Sequence, residues 1–166
     1  MNATAATAKR EAGCDAGIRH LFEELNREDL ELRPHLLDAA LAGLRLSLNP
    51  CSNALRCDAA EVWGFIEPII SHHLQAEDDE MLSWVDRYAH ISADVLHRVR
   101  QCHRKLRKLV TAIESARFET VTDAEAAEAG RALGALAVCL DDAIDAEERK
   151  IFPAIQKAIF EMDRDA

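Results

Sequence analysis

His73 and Glu77 stand four residues apart in the stretch Ser71-His72-His73-Leu74-Gln75-Ala76-Glu77-Asp78-Asp79-Glu80-Met81-Leu82, so on a helix they share one face. That face continues through Val62, Ile66, Ile70 and Met81, an apolar stripe that should point into a core. A carboxylate aimed inward is costly unless something compensates it. A bound cation is one compensation, and imidazole with carboxylate suits zinc, iron or manganese. The alternative is that the stripe drifts outward after Ile70 and the acidic run is solvated surface.

A second stretch, Ala143-Ile144-Asp145-Ala146-Glu147-Glu148-Arg149-Lys150-Ile151-Phe152, matches the first in helical phase, in its Ala-Glu pair and in its apolar close. His35 precedes His73 by 38 residues and His103 precedes Ala143 by 40, so the chain reads as two helical hairpins. Each carries a histidine on its first helix and a glutamate on its second. Short connections favour an up-and-down four-helix bundle, in which His35, His73, Glu77, His103 and Glu147 converge from all four helices. Three imidazoles and two carboxylates would strain a metal-free core, whereas two cations bridged by the carboxylates satisfy them.

The elements that must position these residues follow from periodicity and breakers. Residues 1–28 read as a tail without structure to about Ala12, then a short amphipathic helix with Ile18, Leu21, Phe22 and Leu25 on one side. The first long helix is expected from Leu32-Arg33-Pro34 to Leu48, with His35, Leu36, Ala39, Ala40 and Leu44 facing inward. Asp58-Ala59-Ala60-Glu61 has the form of a capping box opening the second, which runs to about Arg87 with a kink at Pro68. His72 lies about 100° round from His73, so only His73 is expected to face the core.

The third helix is expected from Ser92 to Phe118, its stripe being Val95, Leu96, Val99, His103, Leu106, Val110 and Ile113. Its other face carries Arg98, Arg100, Arg104, Lys105, Arg107 and Lys108, read as a solvated face. Thr122-Asp123-Ala124-Glu125 is a second capping box, opening a helix with Leu133, Leu136, Leu140, Ala143, Glu147 and Ile151 inward and Pro153 as its stop. Residues 154–166 make one more short helix. The fold class is all-α: a four-helix bundle over residues 29–153 with short flanking helices.

Length and composition agree. A chain of 166 residues with only six Gly and four Pro has few places to turn, which suits one domain of long helices. Its net charge of -10 argues against nucleic acid and anionic membrane as partners. Five cysteines without a CxxC pair, and an N-terminus without an apolar run, point to reduced thiols and a cytoplasmic location; Cys51 and Cys57 flank one loop and would pair only under oxidation. No apolar run approaches the roughly 20 residues that span a bilayer.

The order of histidine on helix one, HxxxE on helix two, histidine on helix three and a carboxylate closing helix four resembles the hemerythrin-type HHE cation-binding family, from about Leu30 to Pro153. The resemblance implies a non-haem di-iron centre in a four-helix bundle, with Glu77 and Glu147 as bridging carboxylates, His35 and His73 on one iron and His103 on the other. Two positions depart from the family: Ala143 stands where a histidine is usual, and Arg107 where the oxygen-carrying members have a second histidine. The implied function is a metal-binding protein that binds or senses oxygen, nitric oxide, peroxide or iron. Two other readings remain: a metal-free bundle acting as an interaction module, and a di-iron oxidase or peroxidase. The oligomeric state is open.

Overall fold

The computed structural model describes residues 3–116, 118 and 121–165, with side chains for 17–116, 118 and 121–164. Met1 and Asn2, part of the tail expected to lack structure, lie outside the described residues, as does the side chain of Cys14. Four helical rods run up and down, and no strand occurs among the described residues.

The first rod is a single helix, α1 (Ala3–Leu48), and not a tail, a short helix and a long one. Its buried residues Ile18, Leu21, Leu25, Leu32, Leu36, Ala39 and Leu46 keep one helical phase past Pro34. Proline removes one backbone bond, and an apolar stripe this long outweighs that loss. The inner face is Leu36, Ala39, Gly43 and Leu46; Leu44, expected inside, is 54% exposed.

The second rod begins with α2 (Asn53–Ala76), which continues through Pro68. Ser52 caps it by accepting from the Leu55 amide, and the Asp58–Glu61 box lies inside the helix. The earlier start is held by Arg56, a buried residue that donates to Pro50 O at 2.8 Å, to Val121 O at 2.7 Å and to Asp123 Oδ1 at 2.7 Å. A five-residue π-helical turn, π1 (Glu77–Met81), then leads into α3 (Leu82–Tyr88).

The third rod is α4 (Ala93–Ala116), within two residues of its expected bounds. The fourth opens on the expected capping box, with both the Thr122 and Glu125 halves formed, as α5 (Asp123–Ala146). It passes through a second π turn, π2 (Glu147–Ile151), into α6 (Phe152–Asp165). Pro153 does not stop this rod: the helix runs directly from π2 through it into α6, whose buried Ile155, Ala158 and Ile159 hold it against the second apolar cluster.

α1 packs against both α2 and α5, and α4 packs against α5. Two apolar clusters result. One holds Leu36, Ile66, Leu106, Leu133 and Leu140; the other holds Leu25, Met81, Leu82, Val99, Ile151 and Ile155. Between them lies a polar layer crossing all four rods, made of Glu28 and Asp29 on α1, His73 and Glu77 on the second rod, His103 on α4 and Glu147 on the fourth. Every one of these six side chains is buried.

α1 and α5 touch backbone to backbone through glycine. A Cβ on Gly43 would lie 2.5 Å from Gly130 O and 2.6 Å from Gly134 N, and a Cβ on Gly130 would lie 2.7 Å from Gly43 O. Neither backbone can yield cheaply, so Gly43→Ala and Gly130→Ala should each destabilise the protein by about 1–3 kcal/mol, lowering the thermal midpoint by about 2–4 °C per kcal/mol. A Cβ on Gly64 meets nothing within 4 Å in mid-helix, so Gly64→Ala should raise stability by about 0.5–1 kcal/mol. Thermal melts followed by circular dichroism check the opposite signs.

Candidate metal centre

Each imidazole in the layer is anchored on one nitrogen and points the other inward. His73 Nδ1 lies 3.2 Å from Glu28 Oε2, leaving Nε2 at 3.3 Å from Asp29 Oδ1 and 3.5 Å from Glu77 Oε1. His103 Nδ1 donates to Asp78 Oδ1 at 2.8 Å, leaving Nε2 at 3.3 Å from Glu77 Oε2 and 3.4 Å from Glu147 Oε1. A carboxylate behind Nδ1 fixes the tautomer, so that Nε2 presents a lone pair to the site once the ring is neutral.

The anchors are themselves held. Glu28 Oε1 takes a second contact at 2.8 Å from Nδ1 of exposed His72. Arg107 donates to Asp78 Oδ2 through Nη2 at 2.8 Å and Nε at 3.2 Å, and to the Leu74 carbonyl at 2.8 Å. The arginine at a position where a histidine was considered therefore orients a histidine. The rest of its helix face, Arg98, Arg100, Arg104, Lys105 and Lys108, is exposed.

The layer resolves into two overlapping groups, Asp29/His73/Glu147 and Glu77/His103/Glu147, in each of which one atom per residue lies within 4.8 Å of the others. Glu147 belongs to both. Glu77 also reaches both imidazoles, so the two glutamates at the starts of the π turns are the shared members. Four buried oxygens are poorly matched: Asp29 Oδ2 and Glu147 Oε2 have no hydrogen-bond partner, and Asp29 Oδ1 and Glu77 Oε1 have only the long His73 Nε2 contacts at 3.3 and 3.5 Å.

Burial and crowding strain the protonation states. Burial pushes Asp29 up to about 7 against the pull of His73, and burial with the Glu77 charge pushes Glu147 up to about 8. Burial alone would lower both imidazoles. The Glu77 charge and the bonds to Glu28 and Glu77 instead hold His73 well above its ordinary value, and the Glu147 bond with the Glu77 charge raises His103 to about 9. Without a cation the layer keeps protons on both imidazoles and on Glu147 at neutral pH.

Four of the five residues singled out from sequence, His73, Glu77, His103 and Glu147, are brought together here. His35 is not among them. It lies nearly two turns past Asp29 on α1, half-buried, with its ring stacked on Phe65 at 4.1 Å between centroids. The α1 contribution comes from Glu28 and Asp29, which a helix starting at Leu32 excludes. A usable signal was present: the acidic pair sits between Leu25 and Leu32 in the same stripe.

Ala143 is buried and faces a crevice of about 210 Å³ that also touches Val95, Val99, Cys102, Ala146 and Glu147, with exposed Arg98, Asp142 and Lys150 completing its lining. Cys102 Sγ lies 3.7 Å from Cys139 Sγ across the same helix pair, a proximity that sequence spacing did not reveal. Cys51 and Cys57 are free and exposed. No helix among the described residues is long and apolar enough to cross a membrane.

Comparison with known proteins agrees with this arrangement. Neither the curated proteins nor the solved structures contain a match. The family model described as the hemerythrin HHE cation binding domain matches residues 16–155, which spans all four rods and the whole polar layer. The chain belongs to the hemerythrin HHE cation-binding domain family.

Proposed function

We propose that the protein holds two iron ions in the polar layer and binds or senses a small ligand such as oxygen, nitric oxide or peroxide. The observation that carries this reading is the set of buried carboxylate oxygens on Asp29, Glu77 and Glu147 with no partner or only a long imidazole contact, beside two imidazole nitrogens whose opposite ring atoms are tied down. Carboxylates buried with so few partners are costly, and two divalent cations would compensate all of them at once. Asp29 and His73 would hold one ion, His103 the other, with Glu77 and Glu147 shared. A donor set of carboxylates and imidazoles without thiolate favours iron or manganese over softer metals. When bound, iron supplies coordination positions at which a small ligand can exchange; the residues described here hold, orient and partly shield it. The free thiols fit a cytoplasmic setting.

Anaerobic loading with ferrous iron should give about two ions per chain and a higher thermal midpoint, since a ligand of the folded state stabilises it. Glu77→Ala removes a shared oxygen and should abolish retention of both ions through dialysis. Loading also displaces protons from His73, His103 and Glu147. Apparent affinity should therefore rise with pH from 6 and still be rising through about 9, where His103 gives up its proton. Calorimetry in buffers of differing ionisation heat should record proton release; a chain that binds no iron at any pH leaves the metal-free interaction module as the reading.

Asp78→Ala frees the His103 ring and should weaken binding at that position about 10- to 100-fold, with Arg107→Ala a smaller loss in the same direction. Equilibrium titration of apoprotein measures both.

Ala143 gives the complementary test. An imidazole introduced there enters the crevice beside Glu147, one turn before it as His73 stands before Glu77. Ala143→His should raise iron retention in dialysis against chelator, because it adds a nitrogen to the ion that His103 holds. Equal destabilisation of the variant with and without chelator, and no added iron, would sink the two-ion reading.

A further inference from the structure

One face of α1 is apolar and uncovered. Leu30, Leu37, Leu41, Leu44 and Leu48 are 62%, 67%, 38%, 54% and 70% exposed, while the opposite side of the helix packs on α2 and α5. Their steps of seven, four, three and four residues make a straight row along one side of a helix, the spacing of a coiled-coil seam. The row is about 27 Å long at 1.5 Å per residue. Isolated exposed leucines need no explanation, but an aligned series on the outer side of a helix marks a contact surface.

We propose that this row is the interface of a homodimer in which α1 packs antiparallel against α1 of a second copy. The charges beside the row select the occupant and its direction. Asp38 and Arg45 each follow a row leucine by one residue, so both lie on the same flank, and both are exposed. Neither side chain has a hydrogen bond or ion pair with any described residue. A twofold axis perpendicular to the two helices keeps that flank on one side of the seam. With the axis near Leu41, Leu41 meets its own copy, Leu37 meets Leu44, and Asp38 meets Arg45, the last two pairs occurring twice. An isologous contact is self-complementary in this way. A parallel pairing, whose twofold runs along the helices, puts the two charged flanks on opposite sides of the seam and leaves both residues unmatched.

Sedimentation velocity at tens of micromolar tests the assembly with the protein as purified and independently of iron. The wild-type chain should sediment at twice its 18.5 kDa mass. Leu37→Glu with Leu44→Glu, both at exposed positions, should give a monomer of unchanged helicity and unchanged iron content. Asp38→Arg and Arg45→Asp should each raise the dimer dissociation constant about tenfold, since each sets two like-charge pairs across the seam. The double variant Asp38→Arg/Arg45→Asp restores opposite charges and should return to within about threefold of wild type. A monomeric wild type, a dimer indifferent to the leucine variants, or charge reversals whose effects add without compensating would overturn the proposal.

Discussion

The burial of a carboxylate-imidazole layer between two apolar clusters is the constraint on which the rest of this structure depends. Each rod contributes to the layer at the same depth: on α1 the acidic pair lies between Leu25 and Leu32, on the second rod His73 and Glu77 lie between Ile70 and Met81, on α4 His103 lies between Val99 and Leu106, and on the fourth Glu147 lies between Ile144 and Ile151. The apolar residues on either side exclude water, which makes the layer electrostatically stiff and expensive to leave uncompensated. The bundle therefore cannot slip by a turn along any rod without aligning a charge with an apolar cluster. The polar layer costs stability and sets register in the same stroke.

The two π turns are the local device that makes this layer compatible with continuous packing. Both begin at a shared glutamate, and the amides of Leu82 and Phe152 reach back to the carbonyls of Glu77 and Glu147. One extra residue per turn rotates everything downstream. Beyond the turn the buried stripe widens: Leu82 and Val85 are buried beside Met81 and Trp84, while Tyr88, which unbroken phase from Glu77 would bury, is 39% exposed. The turn thus lets a glutamate project into the layer and then re-aims the apolar stripe at the second cluster. π turns of this kind concentrate at functional positions because a helix has little else to gain from its weaker backbone geometry.

How much of this was legible follows from which signals are local. The HxxxE spacing, the repeat around Glu147, the choice of His73 over His72 and the Thr122–Glu125 cap depend on residues within a few turns of one another, and the structure realises them. His35 follows from the repeat, 38 residues before His73 as His103 is 40 before Ala143, and a helix starting near Pro34 leaves out the acidic pair Glu28-Asp29 that the first rod contributes instead. The stripe through Leu25, Leu32 and Leu36 ran across that proline and was the stronger signal, since tertiary burial overrides a single breaker. The π turns were invisible because they alter phase only after the residues that identify them. The contact between Cys102 and Cys139 depends on how α4 sits against α5, which no spacing within either helix encodes.

The layer is not symmetric, and the asymmetry bears on how a small ligand would be handled. Around His73 the carboxylates of Glu28, Asp29 and Glu77 close in from two rods, and His72 backs Glu28 from outside. Around His103 the protein offers Glu77 and Glu147 in front and Asp78 with Arg107 behind, while Ala143 leaves a crevice against Glu147 in place of a side chain. Under the two-ion reading the first position is saturated by the protein and the second has room left over. Exchange would then occur on the His103 side, through the crevice between α4 and α5, which is apolar inside and carries Arg98, Lys150 and Asp142 among its lining residues. Under the same reading Ala143 and Arg107 act in one direction: the small side chain would leave the coordination shell open, and the arginine, through Asp78, keeps the His103 imidazole aimed at it.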